Sequence, residues 1–151
     1  GISVVKGLAF AADRPAVGVS SMDGAAYRFS ATDMPIVTLM DARRKEVYAC
    51  RYRFSRGALV EKGPAYALAP SELLDMADEE TLFVGSGAVA YKDFLTDHLK
   101  EKARFVPKSQ NHIKAASLAI AVFNDPGLLR SETDTLIPEY IRKPDAEVNL
   151  G

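Results

Sequence analysis

PIVTLMDARRKEVYACRYRF, Pro35 to Phe54, decides how the chain folds. Its apolar run Ile36 to Met40, with β-branched Ile36 and Val37, is expected to form a strand covered on both faces. Asp41 closes that strand. Arg43, Arg44 and Lys45 suit a solvated turn, and from Glu46 the chain resumes as a second strand with Tyr48, Cys50, Tyr52 and Phe54 on one face and Arg51 and Arg53 on the other. An Asp at the carboxyl end of a strand can serve as a base or metal ligand, but more commonly caps a turn or pairs with a neighbouring Arg.

Working outward, the 151 residues are 48% hydrophobic, which is enough to bury a core in one domain or two small ones. Formal charge is -1, from 19 basic and 20 acidic side chains, so no global field holds nucleic acid and any RNA contact has to be local. Cys50 stands alone and cannot form an internal disulfide; its place among strand aromatics marks it as a small buried hydrophobe in a reducing compartment. No apolar run approaches the roughly 20 residues that cross a bilayer.

Toward the amino end, Ile2 to Ala12 reads as a helix that is apolar nearly all round, with Val4, Val5 and Leu8 beside small Gly7, Ala9, Ala11 and Ala12. Such a helix is built to lie against another polypeptide. It begins at Gly1 without a cap, so the chain is expected to lack an amino-terminal region. Asp13 to Pro15 break the helix, Ala16 to Val19 are expected as a short strand, and Ser20 with Asp23 as a capping box for a helix through Phe29. A lobe boundary is placed at 33/34.

Toward the carboxyl end, Pro70 and Glu72 to Ala77 suggest a short helix, Thr81 to Val84 a strand, Ala88 to Leu99 an amphipathic helix and Arg104 to Val106 another strand. Ile113, Ala116, Ile120 and Phe123 recur at helical spacing and predict a helix over Asn111 to Phe123. The polar stretch 126–151 is expected as a tail. Strands alternating with helices imply an α/β fold with a mixed sheet.

Gly85, Gly87 and Ala90 fit G-x-G-x-x-A between a strand and a helix, a pattern whose backbone amides can hold a phosphate. The expected acidic residue about 20 positions on is missing, and a tight turn requiring glycine is the simpler reading. His98 and His112 have no ligand partner at helical spacing, and no serine lies in a G-x-S-x-G elbow, so no metal, cofactor or catalytic residue is expected. The basic hairpin, Arg43, Arg44, Lys45, Arg51, Arg53 and Arg56 near Tyr48 and Tyr52, could face phosphates and stack bases, or simply protect a sheet edge.

Four segments in order, GLAFAADRPAVGVSSMD, IVTLMDARRKEVYACRY, FVGSGAVAY and PEYIRKPDAE, together resemble the bacterial TsaB (YeaZ) family of tRNA threonylcarbamoyladenosine biosynthesis. The resemblance implies an actin-like, sugar-kinase-like fold of two lobes, of which 1–33 would be the remnant of the first, 34–125 the second, and 126–151 the tail. It implies a cytoplasmic, noncatalytic scaffold that pairs with the catalytic paralogue TsaD, is joined by the ATPase TsaE, forms homodimers when alone, and meets tRNA only through the complex. The partner interface carried over is Val4, Val5, Leu8 and Ala12; Gly85 and Gly87 match the turn that holds nucleotide in relatives with working sites. Two rivals stand beside it: a nucleotide-hydrolysing enzyme using Asp41 and the Gly85 turn, and a tRNA-binding module built on 43–56.

Overall fold

The computed structural model describes residues 1–125, 136–138 and 141. In chain order come α1 (Ile2–Ala11), α2 (Ser21–Tyr27), β1 (Ile36–Asp41), β2 (Val47–Ser55), β3 (Ala58–Lys62), β4 (Tyr66–Leu68), β5 (Thr81–Val84), α3 (Ser86–Ala90), α4 (Lys92–Leu99), β6 (Ala103–Phe105) and α5 (Ala115–Asn124). A 3-10 segment, Pro70–Met76, precedes β5. Apart from residues 136–138 and 141, the expected tail lies outside the described residues.

Sheet order is β3-β2-β1-β5-β6, with β4 also paired to β2. β1 and β2 form the expected antiparallel hairpin, in register from Ile36 opposite Tyr52 to Asp41 opposite Val47. β5 runs parallel to β1 on its other side, and β6 parallel to β5. The sheet is therefore mixed, as the hairpin followed by strand and helix alternation predicts.

Period-two alternation divides the side chains between two cores. On one face Ile36, Cys50, Tyr52, Phe54, Leu82 and Val84 pack with Met22, Ala25, Ala26 and Tyr27 of α2 and Ala121 of α5. On the other, Val37, Leu39, Val47, Ala49 and Phe83 pack with Leu73, Ala77, Ala88 and Leu95. Tyr52, Phe54 and Phe83 are at most 1% exposed, and each such side chain contributes about 1.5–3 kcal/mol by leaving water. β1 is covered on both faces, as its unbroken apolar run requires.

Four expectations are corrected. Residues 16–19 are coil, outside the described sheet, because an apolar segment becomes a strand only where a neighbour accepts its backbone bonds. Ser20 does cap α2, accepting from the Met22 amide at 3.3 Å, but Asp23 turns into the sheet instead of completing a capping box. The expected helix over Ala88 to Leu99 is two helices, with Tyr91 leaving helical angles between them.

α5 is rotated from its expected phase and starts later, at Ala115. Ile113, Ile120 and Phe123 are 40%, 43% and 89% exposed, while Ser117 and Ala121 face inward. α2 lies close by: a Cβ on Gly24 would overlap Leu118 Cδ2, so the glycine makes room for Leu118, beside which Ser117 and Ala121 turn inward.

Candidate functional site

Among the described residues α1 is the most exposed apolar element. Of its ten residues Ala9 alone is buried, whereas Val4, Val5, Leu8 and Phe10 are 63%, 48%, 66% and 91% exposed. Leu8 donates no side-chain polarity and Ala12, at the helix end, is exposed as well; Ala12 closes the last turn by donating its amide to Leu8 O at 3.0 Å. Asp13 then takes φ 50 and ends the helix. An open groove beside α1 is lined by Lys6, Gly7, Ala9 and Phe10 together with Asp13, Arg14 and Pro15. The four residues expected at a partner interface thus lie on one exposed element.

Gly85 and Gly87 sit in the strand-to-helix turn, but their surroundings are those of a packing junction. Gly85 has φ +102, and a Cβ there would stand 2.3 Å from Leu39 O; at Gly87 it would meet Val47 Cγ1 at 2.7 Å and Leu39 Cβ at 2.9 Å. The Gly85 amide donates to Asn111 Oδ1 at 2.7 Å, and Ser86 Oγ accepts the Asp41 amide at 3.2 Å. Both glycines let β1 approach, and α3 has only five residues.

Asp41 is part of the following turn. Its Oδ1 accepts the Arg43 amide at 2.8 Å, the Ala42 amide donates to Glu46 O at 3.1 Å and the Glu46 amide to Arg43 O at 2.9 Å. Arg43, Arg44 and Lys45 have φ of 60, 52 and 62. Holding a non-glycine residue in this left-handed region costs about 1 kcal/mol or more, and here three do so in succession.

The cations of the hairpin do not form one patch. Arg51 pairs with Asp78 at 2.9 Å and Glu79 at 3.3 Å, and Arg53 pairs with Glu79 and, at 3.8 Å, with Glu61. Arg56 lies in the turn beyond β2, roughly 30 Å along the nine-residue strand from the Arg43 turn, at 3.3 Å per residue. Tyr52 is buried and Tyr48 partly so, neither positioned as an open stacking platform.

Cys50 is buried, 1% exposed, with Sγ 3.3 Å from Gly63 O. His98 is exposed against Phe94, and the backbone oxygen of His112 accepts from Arg28. Among the described residues no three of His, Cys, Asp or Glu gather as a metal site.

Sequence reading missed a buried polar cluster. Asp23, 7% exposed, accepts from the Tyr52 hydroxyl at 2.7 Å and from Lys62 Nζ at 2.9 Å, tying α2 to β2 and β3. Burial first, then hydrogen bonding with Cys50 and the nearby Asp23 charge, push the Tyr52 phenol well above its ordinary 10.0. Burial, then Asp125 and Asp23, likewise raise Tyr27. Arg28 also escaped notice: its guanidinium donates to Gln110 O at 2.6 Å and His112 O at 3.0 Å, holding the loop that carries Asn111. A charged residue inside an otherwise apolar helix was the signal for Asp23; nothing local announces Arg28.

A family model described as TsaD, tRNA N6-adenosine threonylcarbamoyltransferase, matches residues 1–150. The tRNA threonylcarbamoyladenosine biosynthesis protein TsaB of Bacillus subtilis (strain 168) is 28% identical over 150 residues, covering 97% of this chain and 64% of that protein. YeaZ from Pseudomonas aeruginosa superposes with a TM-score of 0.71 at 26% identity, covering 92% of this chain and 65% of its own. A second solved structure, of a protein with similarity to peptidase YEAZ from Pseudomonas aeruginosa, gives 0.71 at 27% identity, over 93% and 65%. The chain therefore spans just under two thirds of the length of these relatives. The matches bear out the TsaB/YeaZ resemblance carried by the four sequence segments, and with it the actin-like, sugar-kinase-like fold.

Proposed function

Since this chain belongs to the family described as TsaD, tRNA N6-adenosine threonylcarbamoyltransferase, we propose that it serves threonylcarbamoylation of adenosine 37 of tRNAs reading codons that begin with A, as a noncatalytic scaffold for a TsaD-like subunit. The observation that carries this reading is the exposure of α1. Ten residues with a single buried side chain bury too little apolar surface to justify such a composition in isolation. Docked against a second helix, Val4, Val5, Leu8 and Ala12 would leave water together, and Gly7 and Ala12 would let the backbones approach.

The scaffold role is further supported by how the chain uses its remaining candidates. Asp41 shapes a turn, and the Gly85 amide is engaged by Asn111, so these groups act in the fold. In this reading 1–33 is the end of a first lobe that carries the interface, 34–125 is the second lobe, and 126–151 the tail. A TsaE-like ATPase joins the heterodimer, the isolated chain pairs with itself through the same helix, and the complex works in the cytoplasm.

Coelution of the chain with a TsaD-like protein tests the assignment. Leu8→Asp and Val5→Asp are expected to abolish the complex while the circular dichroism spectrum stays that of the wild type. Normal complex formation by both variants would reject α1 as the interface. Calorimetry with ATP and magnesium checks the rival enzyme reading, for which saturable heat from the isolated chain is the required sign.

A further inference from the structure

We propose that residues 107–112 form a strap over the turn at the carboxyl end of β5, latched by Arg28 at the end of α2, and that this strap opens while the sheet stays intact. The inference goes beyond the scaffold reading and does not depend on it; it stands on how the segment is held.

The strap has little apolar anchorage of its own. Pro107, Lys108, Ser109 and His112 are exposed, Gln110 and Asn111 are half-buried, and the 3-10 turn Lys108–Gln110 contains no buried residue. Apolar contacts lie at its two ends. Val106 packs against the core that α2 covers, and Ile113 Cγ2 lies 3.6 Å from where a Cβ on Gly24 would stand. Between them the Gln110 amide donates to Pro107 O at 2.8 Å, Asn111 Nδ2 to the same oxygen at 3.3 Å, and the Asn111 amide to Lys108 O at 3.2 Å. These bonds stiffen the segment without fastening it to anything else. Segments with few buried apolar contacts and solvent-exposed hydrogen bonds are the ones that open ahead of the whole fold.

Among the described residues, two hydrogen-bonding side chains fasten the strap to its neighbours. Arg28, which caps the carboxyl end of α2, donates from one nitrogen, Nη1, to Gln110 O at 2.6 Å and to His112 O at 3.0 Å. Both hydrogens of that nitrogen are used, and they bracket Asn111. With its backbone fixed on either side, Asn111 presents Oδ1 to the Gly85 amide at 2.7 Å. Hydrogen bonds from a charged donor are roughly twice as strong as neutral ones, so the guanidinium is the latch and the Asn111 contact follows it. The turn that begins at Gly85 is bound in turn to β1, through the Asp41 amide and Ser86 Oγ at 3.2 Å. In open α/β sheets ligands enter at the carboxyl ends of the parallel strands. The latch therefore governs whether this end is covered, and it is worked from α2, outside the sheet.

Amide hydrogen exchange on the intact chain, read by NMR, tests the strap. The Gly85 amide is bonded to the strap and the Leu82 amide to Pro35 O at 2.8 Å, so the two separate strap opening from unfolding. The wild type is expected to exchange Gly85 faster than Leu82. Arg28→Ala should speed Gly85 by about tenfold or more while Leu82 changes by less than about threefold, and trypsin should cut after Lys108 faster than in the wild type. Asn111→Ala should speed Gly85 as well but leave the cut at Lys108 near the wild-type rate, because Arg28 still holds both carbonyls. Arg28→Lys, which keeps the charge and loses the fork, should raise Gly85 exchange by a smaller factor, and it decides the matter if Arg28→Ala does not fold. Unchanged Gly85 exchange in the Arg28 variants, or Gly85 and Leu82 rising together in them, would overturn the proposal. A cut at Lys108 freed as much by Asn111→Ala as by Arg28→Ala would also reject Arg28 as the latch.

Discussion

α1 and α2 are both short, largely apolar helices within the first 27 residues, yet Met22 to Tyr27 of α2 are all buried while α1 buries Ala9 alone. Composition asks that a helix leave water but does not say where it goes. α2 finds the sheet and α5, with Gly24 and Ala26 small enough to sit flush against them, and Asp23 supplies a polar tether to Tyr52 and Lys62. α1 offers the same kind of small and branched residues without a matching surface among the described residues. The contrast separates residues that hold the fold from residues available for recognition.

Charge placed on each helix gives the sharpest separation. Ala26→Asp puts a carboxylate at a fully buried site and should destabilise by about 5 kcal/mol or more, read as loss of the cooperative urea transition. Phe83→Ala, removing an aromatic that packs on Phe105 at 5.9 Å, is expected to cost about 3–5 kcal/mol by the same measurement. Either variant folding with wild-type stability would break the picture of two fixed cores.

Tyr52→Phe tests the tether and should cost about 1–3 kcal/mol near neutral pH, since the Asp23 carboxylate loses a buried donor. Its pH dependence has a definite sign. The folded phenol is raised above its ordinary 10.0, so its contribution is complete below that pH and declines as pH rises and the unfolded chain ionises first. One such group gives a slope of up to about 1.4 kcal/mol per pH unit above 10, which the phenylalanine variant should lack. Leu8→Asp sits at the other end of the scale. On α1 it should change stability by less than about 0.5 kcal/mol, and a large loss would show that the helix is structural after all.

Much of the sheet was legible because its strands carry their own instructions. Ile36 to Met40 is apolar without interruption, so it had to be covered twice, and Val47 to Phe54 alternates around the aromatics Tyr48, Tyr52 and Phe54. β3 and β4 escaped because Ala58–Lys62 and Tyr66–Leu68 are short and exposed, and they become strands only by pairing with β2. The phase of α5 was illegible for a related reason. Ser117 and Ala121 turn inward beside Leu118, which fills the space over Gly24, while the more apolar Ile120 and Phe123 face out, so hydrophobicity alone pointed to the wrong side. At the candidate site the exposed positions of α1 could be named from sequence. The engagement of Gly85 by Asn111 could not, because it joins residues 26 apart through a loop that Arg28 holds from a third place.

Cys50 gives the molecule a built-in clock. Its thiol is the sole sulfhydryl in the chain and sits, buried, on β2, which pairs with β1, β3 and β4, so an alkylating reagent reaches it only when the hairpin opens. The rate at which that label is taken up therefore measures how often the centre of the sheet comes apart, and a ligand seated on either end of the hairpin would slow it without touching the sulfur.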